Sequence, residues 1–182
     1  DPMWNDLLSW LFVQEKDYKK SFTQEKALYK RNPESLDRII DLALAAQSAK
    51  QYDIAIEIFN YTLESSQDIR LKLLASQYLL DIETTLADKK DYQKINEDYL
   101  KLFETYGKYE QTIPLQIAYG NFLAFYLHKP KEASEFLKES LKLDLSEFQE
   151  ATVKLKLGDI LVFQEKFNEA LIYYSQIQAN LK

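Results

Sequence analysis

Apolar residues along this chain recur at helical spacing, in long runs separated by short polar corners. The corners resemble one another: EKDY (15–18), AKQY (49–52), KKDY (89–92), LHKP (127–130) and EKF (165–167). Each follows one amphipathic run and precedes another. Three places after the aromatic or proline stand Ser21, Ala55, Ile95, Ala133 and Ala170, with successive gaps of 34, 40, 38 and 37. Nine places before it comes a mostly small residue, Ser9, Ala43, Glu83 or Gly158. In the fourth unit Gly120 stands ten places before Pro130, which predicts one extra residue in that turn.

The pattern predicts ten helices, near 3–15, 17–30, 33–48, 51–65, 69–87, 91–106, 113–127, 130–142, 147–164 and 167–181. They pair into five antiparallel hairpins, near 3–32, 33–67, 68–107, 112–144 and 146–181, forming one segment over 1–182. Antiparallel helices approach closely only where side chains at the crossing are small, a role for Gly158 opposite Ala170. Tyr18, Tyr52, Tyr92 and Phe167 are expected to open each second helix and plug the gap beside the turn. Phe59, Tyr99, Leu137 and Tyr174 would then cover the same face. End signals agree with these bounds. Asp17, Asp68 and Asp91 suit N-caps, and Ser146 with Gln149 makes a capping box. Asn32-Pro33, Pro114 and Pro130 suit helix starts, and Gly107 a helix end.

These features resemble the tetratricopeptide repeat (TPR). The clearest match is LKLGDILVFQEKFNEALIYYSQI (155–177), where Leu157-Gly158, Leu161, Phe167, Glu169-Ala170 and Tyr174 fall at the positions of that motif. LALAAQSAKQYDIAIEIFNYTL (42–63) follows, through Ala43, Tyr52, Ala55 and Phe59. The third and fourth units depart, with Glu83 and Ile95 where small residues are usual. The resemblance implies an all-α, right-handed α-solenoid. It also suggests an interior segment of a larger bacterial TPR protein, because Leu171, Tyr174 and Leu181 form an apolar stripe on the last helix. That stripe could support self-association.

Composition narrows the chemistry. Three Gly and four Pro in 182 residues favour long helices over turn-rich β structure. The formal charge of −6 disfavours polyanions, so neither nucleic acid nor an anionic membrane surface is an expected partner. The chain has no Cys, hence no disulfide, thiolate nucleophile or Cys-based metal site. No apolar run is long enough to span a bilayer. The opening DPMWNDLLSWLFV lacks the basic start of a signal peptide. The compartment stays open; a signal peptide further upstream would make it periplasmic.

No catalytic constellation emerges. His128, the single histidine, sits in a predicted turn with no second metal-ligating partner. Glu132, Glu135 and Glu139 interleave with Lys131, Lys138 and Lys142, as on a solvated, ion-paired helix face. There is no nucleophile elbow and no Gly-rich phosphate loop. The expectation is a protein that is not an enzyme and needs no cofactor or metal.

The resemblance implies that first helices line a concave groove. Its expected face carries Trp10, Gln14, Leu44, Thr84, Asn121, Phe125 and Asp159, a mixture suited to a peptide or protein segment. Other relatives capture carboxylate tails with Lys, Arg and Asn. Asp6, Ile40, Leu80 and Asp81 occupy those places here and only Asn121 fits, so no such clamp is expected. The function inferred is a protein–protein interaction scaffold. The alternative is a purely structural stretch of a longer superhelix.

Overall fold

The computed structural model describes residues 2–32 and 36–180. Pro33 of the expected Asn32-Pro33 cap and Leu181 of the expected C-terminal stripe lie outside them. Among the described residues the chain forms ten α-helices and no strand. In order they are α1 (Pro2–Gln14), α2 (Tyr18–Tyr29), α3 (Leu36–Ser48), α4 (Tyr52–Ser65), α5 (Ile69–Leu86), α6 (Tyr92–Tyr106), α7 (Ile113–Phe125), α8 (Pro130–Ser140), α9 (Glu147–Phe163) and α10 (Phe167–Asn180). Short 3₁₀ turns, Lys89–Asp91 and Glu110–Thr112, precede α6 and α7.

The helices begin and end for local reasons. Asp17 accepts a bond from the Lys20 amide, and Ser146 and Gln149 cap α9 reciprocally. Asp68 accepts from the Arg70 amide at the entry to α5. Asp91, by contrast, makes no side-chain cap bond. Gly107 ends α6 at φ 76°, a conformation its missing Cβ permits. Tyr18, Tyr52, Tyr92 and Phe167 are each the first residue of a second helix.

Four of the corners share one geometry. Lys16, Lys50, His128 and Glu165 adopt left-handed backbone, with φ between 55° and 61°. The next amide folds back onto the preceding helix: Asp17 to the Phe12 carbonyl, Gln51 to Ala46 and Lys166 to Leu161. Lys129 reaches one residue further back, to Leu123, so the extra residue expected in the fourth turn is present. The third corner is built otherwise, as the 3₁₀ turn at Lys89–Asp91.

The chain divides into two compact units, residues 1–85 and 86–182. The division falls before the last residue of α5, in the third unit of the sequence pattern, where Glu83 and Ile95 replace small residues. In the first unit Phe22, Ile39, Ile58 and Phe59 are fully buried, and each contributes roughly 2–3 kcal/mol by leaving water. In the second unit a chain of ring contacts joins Tyr99, Phe103, Tyr119, Phe122 and Phe136, with centroids 5.1–5.7 Å apart.

The hairpin crossings are tight. Ser21, Ala55, Ile95, Ala133 and Ala170 are all buried. Ser9 and Ser21 face each other, hydroxyl to hydroxyl at 2.8 Å. At the two glycine crossings the nearest atoms come from large side chains of the second helix. A Cβ on Gly120 would lie 2.9 Å from Leu137 Cγ, and one on Gly158 would meet the Tyr174 ring first. Neighbouring hairpins are also stitched by polar bonds within each unit. Gln51 Nε2 donates to the Lys16 carbonyl at 3.3 Å and Gln164 Nε2 to the Pro130 carbonyl at 3.0 Å. Tyr29 donates to the Ser65 carbonyl, and Gln149 to that of Glu110.

Candidate functional site

In the first unit α1 and α3 enclose a groove of about 720 Å³. Trp10, Val13, Leu42 and Ala45 supply apolar walls, and Ser9, Ser21 and Glu25 form a polar floor. Trp10 is 60% exposed, so its indole is offered to solvent. The floor is ordered by a proton count. The Ser9 hydroxyl donates to Glu25 Oε1, which leaves Ser21 to donate toward Ser9, reaching its carbonyl oxygen at 3.1 Å. Arg38 on α3 spans the opening, donating to Glu25 Oε1 at 2.9 Å and to Asp6. One guanidinium thereby joins α1, α2 and α3. Burial lowers the Arg38 pKa, but Asp6 and Glu25 more than offset that and raise it.

In the second unit α7 and α9 present a polar-aromatic face. Lys156 donates to Asn121 Oδ1 at 3.1 Å. The rings of Phe125 and Phe163 meet edge to face at 5.1 Å. Phe163 is exposed and Phe125 partly buried, so the pair combines packing with an accessible apolar edge.

The predicted site residues separate into distinct settings. Trp10 lines the α1–α3 groove, and Asn121 and Phe125 share the α7–α9 face. Gln14 is exposed in the last turn of α1. Leu44 is partly buried against the core of the first unit. Thr84 is buried and donates to the Leu80 carbonyl at 2.7 Å, so it is not offered on an open face. Asp159 accepts from the Tyr174 hydroxyl at 2.8 Å and is thus tied to the second helix of its own hairpin. Burial, then this bond and the Asp159 charge, push the Tyr174 phenol up to about 12.

Sequence reasoning missed Glu25, Arg38 and Lys156. Glu25 sits in TQEKALYK, which looks like a solvated run, yet it lies four places after Ser21 and seven after Tyr18. That spacing puts it on the buried stripe of α2. His128 is an exposed turn residue. Among the described residues, no three His, Asp or Glu side chains converge to hold a metal ion. No described helix is long and apolar enough to cross a membrane. The expected charged face on α8 is partly redirected: Lys142 pairs with Glu139, whereas Lys138 pairs with Glu169 of α10.

No family model and no curated protein matches the chain. Solved structures do. A thermophilic TPR protein of Thermus thermophilus, TTC0263, superposes with a TM-score of 0.65 at 15% identity, covering 97% of this chain and 90% of that one. A tetratricopeptide repeat protein of Parabacteroides merdae gives 0.62 at 15%, covering 98% of this chain and 65% of that one. PilF of Pseudomonas aeruginosa gives 0.60 at 17%, with coverages of 98% and 75%. At such identities the likeness carries the architecture alone: this chain has the all-α helical-repeat fold of TPR proteins.

Proposed function

We propose that the chain is a noncatalytic scaffold that binds a peptide or protein segment on faces lined by the first helices of its hairpins. The observation that carries this reading is the α1–α3 groove, where the exposed indole of Trp10 stands beside a polar, hydrogen-bonded floor. Exposed aromatic anchors next to fixed polar groups are what a peptide interface uses to combine affinity with register. The Phe125–Phe163 edge with Lys156 and Asn121 offers a second surface of similar chemistry. A displayed peptide library should yield binders to the full chain. Trp10→Ala or Phe125→Ala should weaken them by about tenfold or more, as for an interface anchor. Binders indifferent to both substitutions, or none at all, refute the reading.

A structural role within a longer helical array is the second reading. The inward packing of Leu44 and Thr84 supports it, because the face expected on α3 and α5 is closed at those positions. Exposed Leu171 and Ile172 on α10 likewise suit a contact with another helix, including that of a second copy.

A further inference from the structure

The floor of the α1–α3 groove carries a carboxylate that its own fold only half satisfies. Glu25 is 4% exposed. Its Oε1 accepts from Ser9 and Arg38, but Oε2 is buried with no hydrogen-bond partner. A buried carboxylate oxygen without a donor is costly, so the geometry favours any ligand that brings one. The charges lining the groove point the same way. Asp6, Glu25 and Asp41 carry three negative charges against the single positive charge of Arg38, a net of −2. Trp10, Val13, Leu42 and Ala45 form the apolar wall of the groove that Glu25 floors, so a ligand that reaches this carboxylate has an apolar stem and a cationic tip.

We propose that this groove is a lysine-reading subsite, in which the ammonium of a partner peptide's lysine donates to Glu25 Oε2 while its methylene stem packs against Trp10. This deepens the scaffold reading and rests on it. Lysine fits better than arginine for a geometric reason. A guanidinium is matched to two carboxylate oxygens at once, and Arg38 already holds Oε1. One free oxygen suits a point donor. The excess negative charge also repels acidic tails, the opposite preference to a carboxylate-capturing groove.

The test uses the full chain and a displayed library of short peptides, with selected binders resynthesised. Selection should enrich lysine beside apolar residues. Replacing that lysine by norleucine, which keeps the stem and removes the charge, should weaken binding by about 10- to 100-fold, as for a lost charged hydrogen bond. The same peptide change should have little effect on Glu25→Gln protein. Asp41→Asn should weaken lysine peptides by a smaller factor and serves if Glu25→Gln fails to fold; the norleucine comparison needs no protein variant. Arginine-selected peptides, or binders that ignore both norleucine and Glu25→Gln, overturn the subsite. If such lysine-independent binders are still lost on Trp10→Ala, the scaffold reading survives without it. If no peptide binds, both fall.

Discussion

Alanine at Gly120 separates two opposing effects whose sizes the structure sets. Gly120 lies inside α7, where alanine improves helix propensity by about 1 kcal/mol. Its new methyl, however, would sit 2.9–3.0 Å from Leu137 Cγ, Cδ1 and Cδ2. Leu137 is fully buried and has no room to retreat. Forcing a methyl into such packing costs about 1–3 kcal/mol, so the net change is a loss of about 0–2 kcal/mol. The sharper measurement is a cycle with Leu137→Ala, which alone should cost about 2–5 kcal/mol. In that background the clash is gone, and Gly120→Ala should become stabilising by up to about 1 kcal/mol. Urea unfolding followed by far-UV circular dichroism supplies all four stabilities, provided the transitions are two-state. Gly158→Ala is the control. Its clash with Tyr174 is closer on paper, but that ring is half-buried and can swing outward. It gives up the bond to Asp159, worth about 1 kcal/mol, against a similar propensity gain, so the outcome is near neutral. Stabilisation by Gly120→Ala in the unmodified chain, equal to that in the Leu137→Ala background, would sink the packing argument.

Two further outcomes follow from single residues. Burial pushes the Asp81 carboxyl up from 3.8 to about 6, so the folded chain holds this proton more tightly than the unfolded one. Stability should therefore fall as pH rises from about 4 to 6, by up to about 3 kcal/mol from this group. Asp81→Asn should flatten that part of the profile and raise stability at pH 7; an unchanged profile refutes the assignment. In the left-handed corners, Lys50→Gly and His128→Gly should each stabilise by about 0.5–1 kcal/mol. Lys90→Gly, in a 3₁₀ turn, should destabilise by a similar amount. Thermal melts of the three variants settle the sign.

Helix positions were legible because the signals that set them are local. The first residue of each second helix, the cap at Asp17 and the capping box at Ser146 all follow from neighbours within four positions. The crossing of Ser9 with Ser21 was legible too, because small residues recur at a fixed offset from each corner. The site was harder to read. Glu25 looks solvated between Gln24 and Lys26, and only the arrival of Ser9 and Arg38 from other helices reveals its role. Thr84 and Asp159 fall on the expected helical face by spacing. One is buried and the other is bonded to α10, which depends on how the neighbouring helices close around them. Lys156 escaped because it comes within reach of Asn121 only once α7 and α9 are side by side. Register along a helix can be counted from the sequence; the closure of a neighbouring helix cannot.

The bonds that stitch neighbouring hairpins have a consequence in time. Gln51 and Lys16 are 35 positions apart, Gln164 and Pro130 34, Tyr29 and Ser65 36, and Gln149 and Glu110 39. Within each unit, a hairpin joined by these bonds can therefore meet the one before it as soon as a few dozen more residues leave the ribosome. Doubling such a span adds only about 0.6 kcal/mol to the entropy of closing it, and helical chains rich in local contacts fold within microseconds to milliseconds. Peptide synthesis, at about 5–20 residues per second, is far slower. Within each unit, a nascent hairpin can settle on its predecessor while the next is still being made.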